Sequence, residues 1–147
     1  MSPMRSPGKP HLLVVEDNPA DVQLLRLALD HAGLDCDVTV LEDGAAALAY
    51  IRKLQAASHS AIPNLVVLDL NLPKNGGIEI LEAIRNTAAF NRMAVAILSS
   101  SSSPRERQRI DSFGVDRFIT KPLDLDAFME IGNEIKSLLL ERRAVNL

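Results

Sequence analysis

The segment NLVVLD at residues 64–69 decides the fold. It is a continuous apolar run, without the alternation of polar and apolar residues that marks a strand with one solvent-facing side. Strands of a parallel sheet that helices cover on both faces have this continuous pattern. The run ends in a carboxylate, Asp69, and Asn71 follows two residues later. We therefore interpret residues 64–69 as a buried central strand of a parallel sheet.

Similar short runs lie on either side of this strand and alternate with helical patterns. The other predicted strands cover residues 11–15, 37–41, 93–98 and 116–120, and the predicted helices begin near Pro19, Gly44, Ile78, Pro104 and Asp124. An alternating βα order predicts a parallel sheet with right-handed crossovers. The predicted fold class is therefore α/β, a doubly wound, flavodoxin-like (βα)5 sheet of five parallel strands with helices on both faces.

Local signals mark the ends of two predicted helices. Asn18 is placed to cap the first helix, Pro19 suits its first position, and Asp21 adds a negative charge to its first turn. Gly33 is a natural end for the same helix. Residues 103–106 have the serine-to-glutamate pattern of a capping box, with a proline in the first turn of the fourth helix.

The composition excludes several classes of function. The 147 residues are 47% hydrophobic and 24% charged, which is typical of a globular domain rather than of a disordered chain. A net charge of −3 and an aromatic content of 3% provide neither the basic surface nor the stacking rings of a nucleic-acid-binding protein. No apolar run approaches the ~18 residues of a membrane span. The single cysteine, Cys36, excludes a disulfide framework and predicts a cytoplasmic protein.

We divide the chain into three parts. Residues 1–10 are rich in Ser, Pro, Gly and Lys and are expected to form a disordered lead-in. Residues 11–140 are expected to form the domain, and residues 141–147 a C-terminal tail. Since neither end segment has room for a second module, we expect any signal to leave through a protein contact on the surface of this domain.

Polar side chains follow most of the predicted strands. In a doubly wound sheet, ligands bind beyond the carboxyl ends of the strands. The first strand ends in Glu16 and Asp17, the third in Asp69, the fourth in Ser99 and the fifth in Lys121. A lone acid at a strand end is usually a turn residue or a helix cap. Three carboxylates, a hydroxyl and an ammonium at one edge instead indicate a binding or catalytic site.

This set of side chains suits phosphoryl chemistry. Three carboxylates repel one another and attract a hard cation, Mg²⁺ or Mn²⁺, for which oxygen ligands are suited. A carboxylate such as Asp69 can act as a nucleophile and form an acyl phosphate. Lys121 would then pair with the phosphoryl group, and the Ser99 hydroxyl would donate a hydrogen bond to it.

The chain resembles the receiver domain of bacterial two-component response regulators, the CheY-like family, over residues 11–139. The residues that carry the resemblance stand on strand ends in the family's order: Glu16 and Asp17, Asp69, Ser99, and Lys121 with Pro122. Residues 16–21, 69–74 and 119–122 are also similar to the stand-alone regulators that accompany bacterial phytochromes and related sensor kinases.

This resemblance implies a role for each residue at the phosphorylation site. Asp69 would accept phosphate from a sensor histidine kinase, of phytochrome type, with Mg²⁺ or Mn²⁺ as cofactor. Asp17 would be the principal metal ligand, with Glu16 assisting. The backbone carbonyl of Asn71 would complete the metal site.

The same resemblance implies a switch rather than an enzyme. Ser99 and Phe118, which stands where Tyr is common, would couple Asp69 to the surface of the fourth helix, the fifth strand and the last helix. Lys121 would bind the phosphoryl group, and the Lys121–Pro122 bond is often cis in this family. The signal would pass to a downstream protein target, without nucleic acid or membrane, and homodimerisation is left open.

Three other classes of protein compete with this interpretation. A haloacid-dehalogenase-type phosphatase also has a nucleophilic aspartate at a strand end, but its second aspartate, the general acid, stands where this chain has Asn71. A nucleotide-binding protein would need a glycine-rich phosphate loop, and the pair at residues 76–77 lacks that spacing. A degenerate receiver that serves only as a binding module would not need the complete set of acids, hydroxyl and lysine.

Overall fold

The computed structural model describes residues 8–55, 62–72, 76–100 and 103–145. The strands are β1 (His11–Val15), β2 (Asp37–Leu41), β3 (Leu65–Asp69), β4 (Ala94–Ser99) and β5 (Arg117–Thr120). The helices are α1 (Pro19–His31), α2 (Gly44–Leu54), α3 (Gly77–Arg85), α4 (Pro104–Asp111) and α5 (Leu125–Val145). A short 3₁₀ helix, Ala88–Phe90, precedes β4.

The five strands form one parallel sheet in the order β2-β1-β3-β4-β5. This is the order of flavodoxin-like folds, and it confirms the predicted fold class. The topological switch point lies between β1 and β3, because the chain builds outward from β1 first to β2 and then, on the other side, to β3. Ligands in such folds bind at the carboxyl ends of the strands at this point.

The apolar run of β3 is continuous because two cores cover the sheet. Val66 and Leu68 face a core that α2, α3 and α4 close, while Leu65 and Val67 face a second core that α1 and α5 close. The five residues of the strand are all buried, including Asp69 at its end. The core thus fixes the position of the carboxylate from which the site is built.

The predicted start and end of α1 are confirmed. The Asn18 side chain accepts a hydrogen bond from the backbone N–H of Ala20 at 2.9 Å. At the other end Gly33 adopts a φ of +71°, and the backbone N–H of Leu34 donates to the carbonyl of Leu29 at 3.0 Å. This is the Schellman arrangement, which requires the left-handed conformation that glycine adopts without strain.

Two predictions about local structure are corrected. Ser103 precedes α4, but its side chain makes no capping hydrogen bond, so the predicted capping box is not formed. The last helix is longer than predicted, because α5 continues through residues 141–145, which contain good helix formers and neither Gly nor Pro. The Lys121–Pro122 bond, whose isomer the resemblance left open, is trans. Residues 1–7 of the predicted lead-in and residues 146–147 of the predicted tail lie outside the described residues.

Most of the strands and helices begin within two residues of their predicted first residues. Among the helices that the structure describes, each is too short or too polar to cross a membrane.

Candidate functional site

The parallel register brings the predicted residues to one edge of the sheet. β1 and β3 are neighbours, so Glu16 and Asp69 lie at the ends of adjacent strands. Asp69 pairs with Leu98 of β4, which places Ser99 one residue further along that strand. The backbone N–H of Lys121 donates to the carbonyl of Ser99 at 2.8 Å.

Three carboxylates form a compact cluster at this edge. One oxygen each from Glu16, Asp17 and Asp69 lies within 4.8 Å of the other two. Glu16 and Asp69 are only 4% and 3% exposed, whereas Asp17 faces solvent. Carboxylate oxygens at this separation suit a hard divalent cation, which could enter from the open side beside Asp17. The residues therefore fit the predicted metal.

The surroundings of Glu16 raise the pKa of its carboxyl group. Burial, followed by the neighbouring Asp69 carboxylate, raises the pKa of Glu16 to about 7. The hydrogen bonds from Lys121 and from the backbone N–H of Asn18 act in the opposite direction. Like charges in a buried site disfavour full ionisation, so a bound cation would favour release of the Glu16 proton.

The Asp69 carboxylate has a hydrogen bond to one oxygen and an ion-pair contact to the other. Its Oδ1 accepts a hydrogen bond from the backbone N–H of Asn71 at 2.9 Å. Its Oδ2 lies 3.3 Å from the Nζ of Lys121. The carboxylate is thus held at the end of a buried strand, with little of its surface exposed to water.

Lys121 is the cation that offsets this negative charge. Its Nζ donates to Glu16 Oε2 and to Asp21 Oδ2, both at 2.9 Å, in addition to its contact with Asp69. Since β4 and β3 separate β5 from β1 in the sheet, the lysine side chain reaches across the site. Burial lowers the pKa of Lys121, but the hydrogen bonds to Glu16 and Asp21 outweigh it and raise the pKa above the usual range.

Asp21 is a residue of this site that sequence reasoning missed. The sequence placed it only as a favourable charge in the first turn of α1. In the structure its side chain is 24% exposed and forms an ion pair with Lys121 at 2.9 Å. A usable signal was present, because the first turn of a helix that follows a strand lies at the same edge as the strand end. The rule that ligands bind beyond strand ends was applied only as far as Asp17, so it left out Asp21.

Asn71 connects the loops after β3 and β4 through its side chain. Its Oδ1 accepts hydrogen bonds from the backbone N–H and the hydroxyl of Ser100, each at 3.1 Å. The Ser99 hydroxyl lies 3.5 Å from the same oxygen, and Ser99 is fully buried. The sequence predicted a role only for the Asn71 backbone carbonyl, and that role remains a prediction.

Phe118 belongs to β5, and its ring lies against Arg107 of α4. It pairs with Ile97 of β4 and is half-buried. The guanidinium carbon of Arg107, on α4, stands 5.1 Å from the centre of its ring, within the range of a cation–π contact. The ring therefore links the fourth helix to the strand that carries Lys121, and its switching role remains a prediction.

Known signalling proteins are similar to this chain in sequence and in fold. A family model for the response regulator receiver domain matches residues 12–132. Response regulator Rcp1 of Synechocystis sp. is 33% identical over 130 residues, which are 88% of this chain and 88% of that protein. The crystal structure of the phosphorylated cyanobacterial phytochrome response regulator RcpA has a TM-score of 0.79 at 32% identity, covering 90% of this chain and 95% of that one. The crystal structure of the Mn²⁺-bound form of response regulator Rcp1 has a TM-score of 0.75 at 31% identity, with the same coverage of both chains.

Proposed function

The chain belongs to the response regulator receiver domain family, and from this premise we propose that it is a phosphorylation-operated switch. Asp69 accepts a phosphoryl group from a sensor histidine kinase. The observation that carries the proposal is the buried Asp69 carboxylate, held by Asn71 and Lys121 beside two further acids. Similarity to a phytochrome response regulator supports a phytochrome-type kinase as the partner.

Transfer of the phosphoryl group needs one nucleophile and one cationic partner from this chain. An Asp69 oxygen attacks the phosphorus of a phosphohistidine, so that a P–O bond forms and the P–N bond breaks. The electron pair of that bond stays on the imidazole nitrogen, which takes up a proton. Lys121 pairs with an oxygen of the transferred group, and the Ser99 hydroxyl donates a hydrogen bond to another.

Glu16, Asp17 and Asp69 would hold Mg²⁺ or Mn²⁺, with the Asn71 backbone carbonyl as a further ligand. When bound, the ion offsets the negative charge of the phosphoryl oxygens. The fit rests on an all-oxygen donor set in which each acid lies within reach of the same point. Glu16 would be the ligand that gives up a proton on binding, since its pKa is raised to about 7.

The signal would leave through the surface of α4, β5 and α5. In α4 only Ile110 is buried, so few apolar contacts resist movement of this helix. Ser99 and Phe118 connect the site to it, and Arg107 lies against the Phe118 ring. Phosphorylation would shift a pre-existing equilibrium of this surface and present it to a downstream protein or a second copy in the cytoplasm. Transfer of a phosphoryl group to Asp69 and its later hydrolysis would be the only reactions of this chain.

Intact-protein mass spectrometry tests the phosphorylation. Wild-type protein treated with acetyl phosphate and Mg²⁺ should gain the mass of one phosphoryl group, and Asp69→Asn should gain none. Asp30→Asn, at the other end of α1 from the site, is the matched control and should behave like the wild type. Uptake of the group by Asp69→Asn would contradict the proposal.

Beryllofluoride, which mimics a phosphoryl group on a carboxylate, tests the coupling to the surface. With Mg²⁺ it should shift the NMR signals of α4 and of Phe118, and the shifts should be lost in Asp69→Asn. Unchanged signals around residues 105–118 would refute the coupling. Sedimentation with and without beryllofluoride then decides whether the second copy is the partner.

A further inference from the structure

Lys121 contacts one carboxylate that neither metal binding nor phosphoryl acceptance explains. Asp21 lies in the first turn of α1, outside the cluster of three acids that could hold a metal. Its Oδ2 nevertheless takes a hydrogen bond from the Lys121 ammonium at 2.9 Å, as short as the bond to Glu16. An ammonium group has three N–H donors. Two of them are used in the hydrogen bonds to Glu16 and Asp21, and the Asp69 carboxylate lies 3.3 Å from the same nitrogen as an ion pair.

We infer that Asp21 is a positioning residue that holds Lys121 in the unphosphorylated state and thereby limits the rate at which Asp69 takes up a phosphoryl group. The inference rests on the proposed function for its second part only. The first part, that Asp21 holds the ammonium, concerns the free protein.

Lys121 must exchange one of its three partners before it can bind a phosphoryl oxygen. Glu16 and Asp69 are 4% and 3% exposed, so in the metal-free protein either carboxylate would be left buried without a cation if the ammonium departed, whereas a bound metal would contact both of them and not Asp21. Asp21 is 24% exposed, and water can solvate its carboxylate once the lysine departs. Asp21 is therefore the partner that the phosphoryl group replaces.

The fold holds Asp21 in place for this role. Pro19 occupies the first turn of α1, and the Asn18 side chain caps the helix through the N–H of Ala20. These contacts fix the backbone two residues before the carboxylate. The positive end of the helix dipole also favours a negative side chain at this position.

The kinetic test compares Asp21→Asn with the wild type. With acetyl phosphate and saturating Mg²⁺, the variant should be phosphorylated about twofold to fivefold faster, the range expected when a partly exposed ion pair no longer competes. The same substitution in a Lys121→Met background should change the rate little, because its effect passes through the lysine. Asp30→Asn removes the same charge from the far end of α1 and should leave the rate unchanged. Thermal unfolding of each variant checks that the fold is retained.

An equal acceleration with and without Lys121 would overturn the inference, because Asp21 would then act only through its charge. No acceleration, or the same acceleration in Asp30→Asn, would overturn it as well.

A second measurement, the NMR signal of the Lys121 ammonium in the unphosphorylated protein, does not depend on phosphorylation. The NMR signal of the Lys121 ammonium should shift, and its protons exchange faster with water, in Asp21→Asn. An unchanged ammonium signal would show that Asp21 does not hold the lysine. If the wild type takes up no phosphoryl group, the proposed function fails, and the ammonium signal still decides the first part.

Discussion

Replacing Lys121 by methionine should destabilise the metal-free protein strongly and in a pH-dependent way. The substitution keeps the length of the side chain but removes the ammonium that contacts Glu16, Asp21 and Asp69. Two of these acids are almost fully buried. Breaking a buried ion pair by removing one partner costs about 3–5 kcal/mol, because the remaining charge is left without compensation. We expect a loss of this size at about pH 8.5, above the pKa of Glu16.

The stability lost in Lys121→Met should be smaller at low pH, and the titration of Glu16 determines the direction of this change. Its pKa is about 7 in the folded protein against an ordinary value of 4.5, and removal of Lys121 takes away a contact that lowers it. Between these values the folded state binds more protons than the unfolded state, so stability falls as the pH rises. At about pH 5.5 Glu16 carries a proton, and the cost of the substitution should drop to about half.

Urea unfolding followed by circular dichroism measures this difference at both pH values. Lys53→Met, on the exposed side of α2, is the matched control and should change the free energy of unfolding by less than about 0.5 kcal/mol. Saturating Mg²⁺ should recover part of the loss in Lys121→Met, since a bound cation replaces the ammonium among the same oxygens. A loss that is small and independent of pH would refute the claim that Lys121 neutralises this cluster.

Three further predictions concern the metal, the packing of α5 and the end of α4. The affinity for Mg²⁺, measured by calorimetry, should weaken about tenfold for each pH unit below about 7, because Glu16 must lose its proton; a flat profile would exclude this coupling. Gly132→Ala should lower the free energy of unfolding in urea by about 1–3 kcal/mol, since the added Cβ would overlap the Ala28 carbonyl. Gly76→Ala, whose Cβ meets nothing within 4 Å, is its control, and a more stable Gly132→Ala would show that α5 can shift. Arg85→Ala removes two hydrogen bonds, of 2.7 and 2.9 Å, to carbonyls in the turn after α4. It should cost about 1–3 kcal/mol and speed amide exchange in that turn, whereas unchanged exchange would count against this anchor.

The fold could be predicted because each strand carries its own signal. The continuous run at residues 64–69 indicates burial on both faces, and the structure confirms it with a core on each side of β3. Gly33 marked the end of α1 because its left-handed conformation excludes most other residues. The end of α5 was missed because residues 141–145 contain neither Gly nor Pro, so no residue there marks where the helix stops.

The site could be predicted as far as the backbone determines it. Parallel strands point their carboxyl ends to one edge, which is enough to bring Glu16, Asp69 and Ser99 together. The contacts of Lys121 depend instead on the path of a long side chain over two strands. The same holds for the amide of Asn71, which bonds to Ser100 across two loops. Such side-chain contacts have no periodicity in sequence.

Localising the phosphoryl group on the chain tests the central claim most directly. Protein phosphorylated by acetyl phosphate with Mg²⁺, and in parallel by a phosphorylated histidine kinase, is reduced with borohydride, which converts an acyl phosphate to an alcohol. Peptide mass spectrometry then identifies the modified residue. We predict that Asp69 alone is converted to homoserine in both reactions. Conversion of Asp17 or Glu16 instead, or a phosphoryl group retained on a histidine with Asp69 unmodified, would contradict the account.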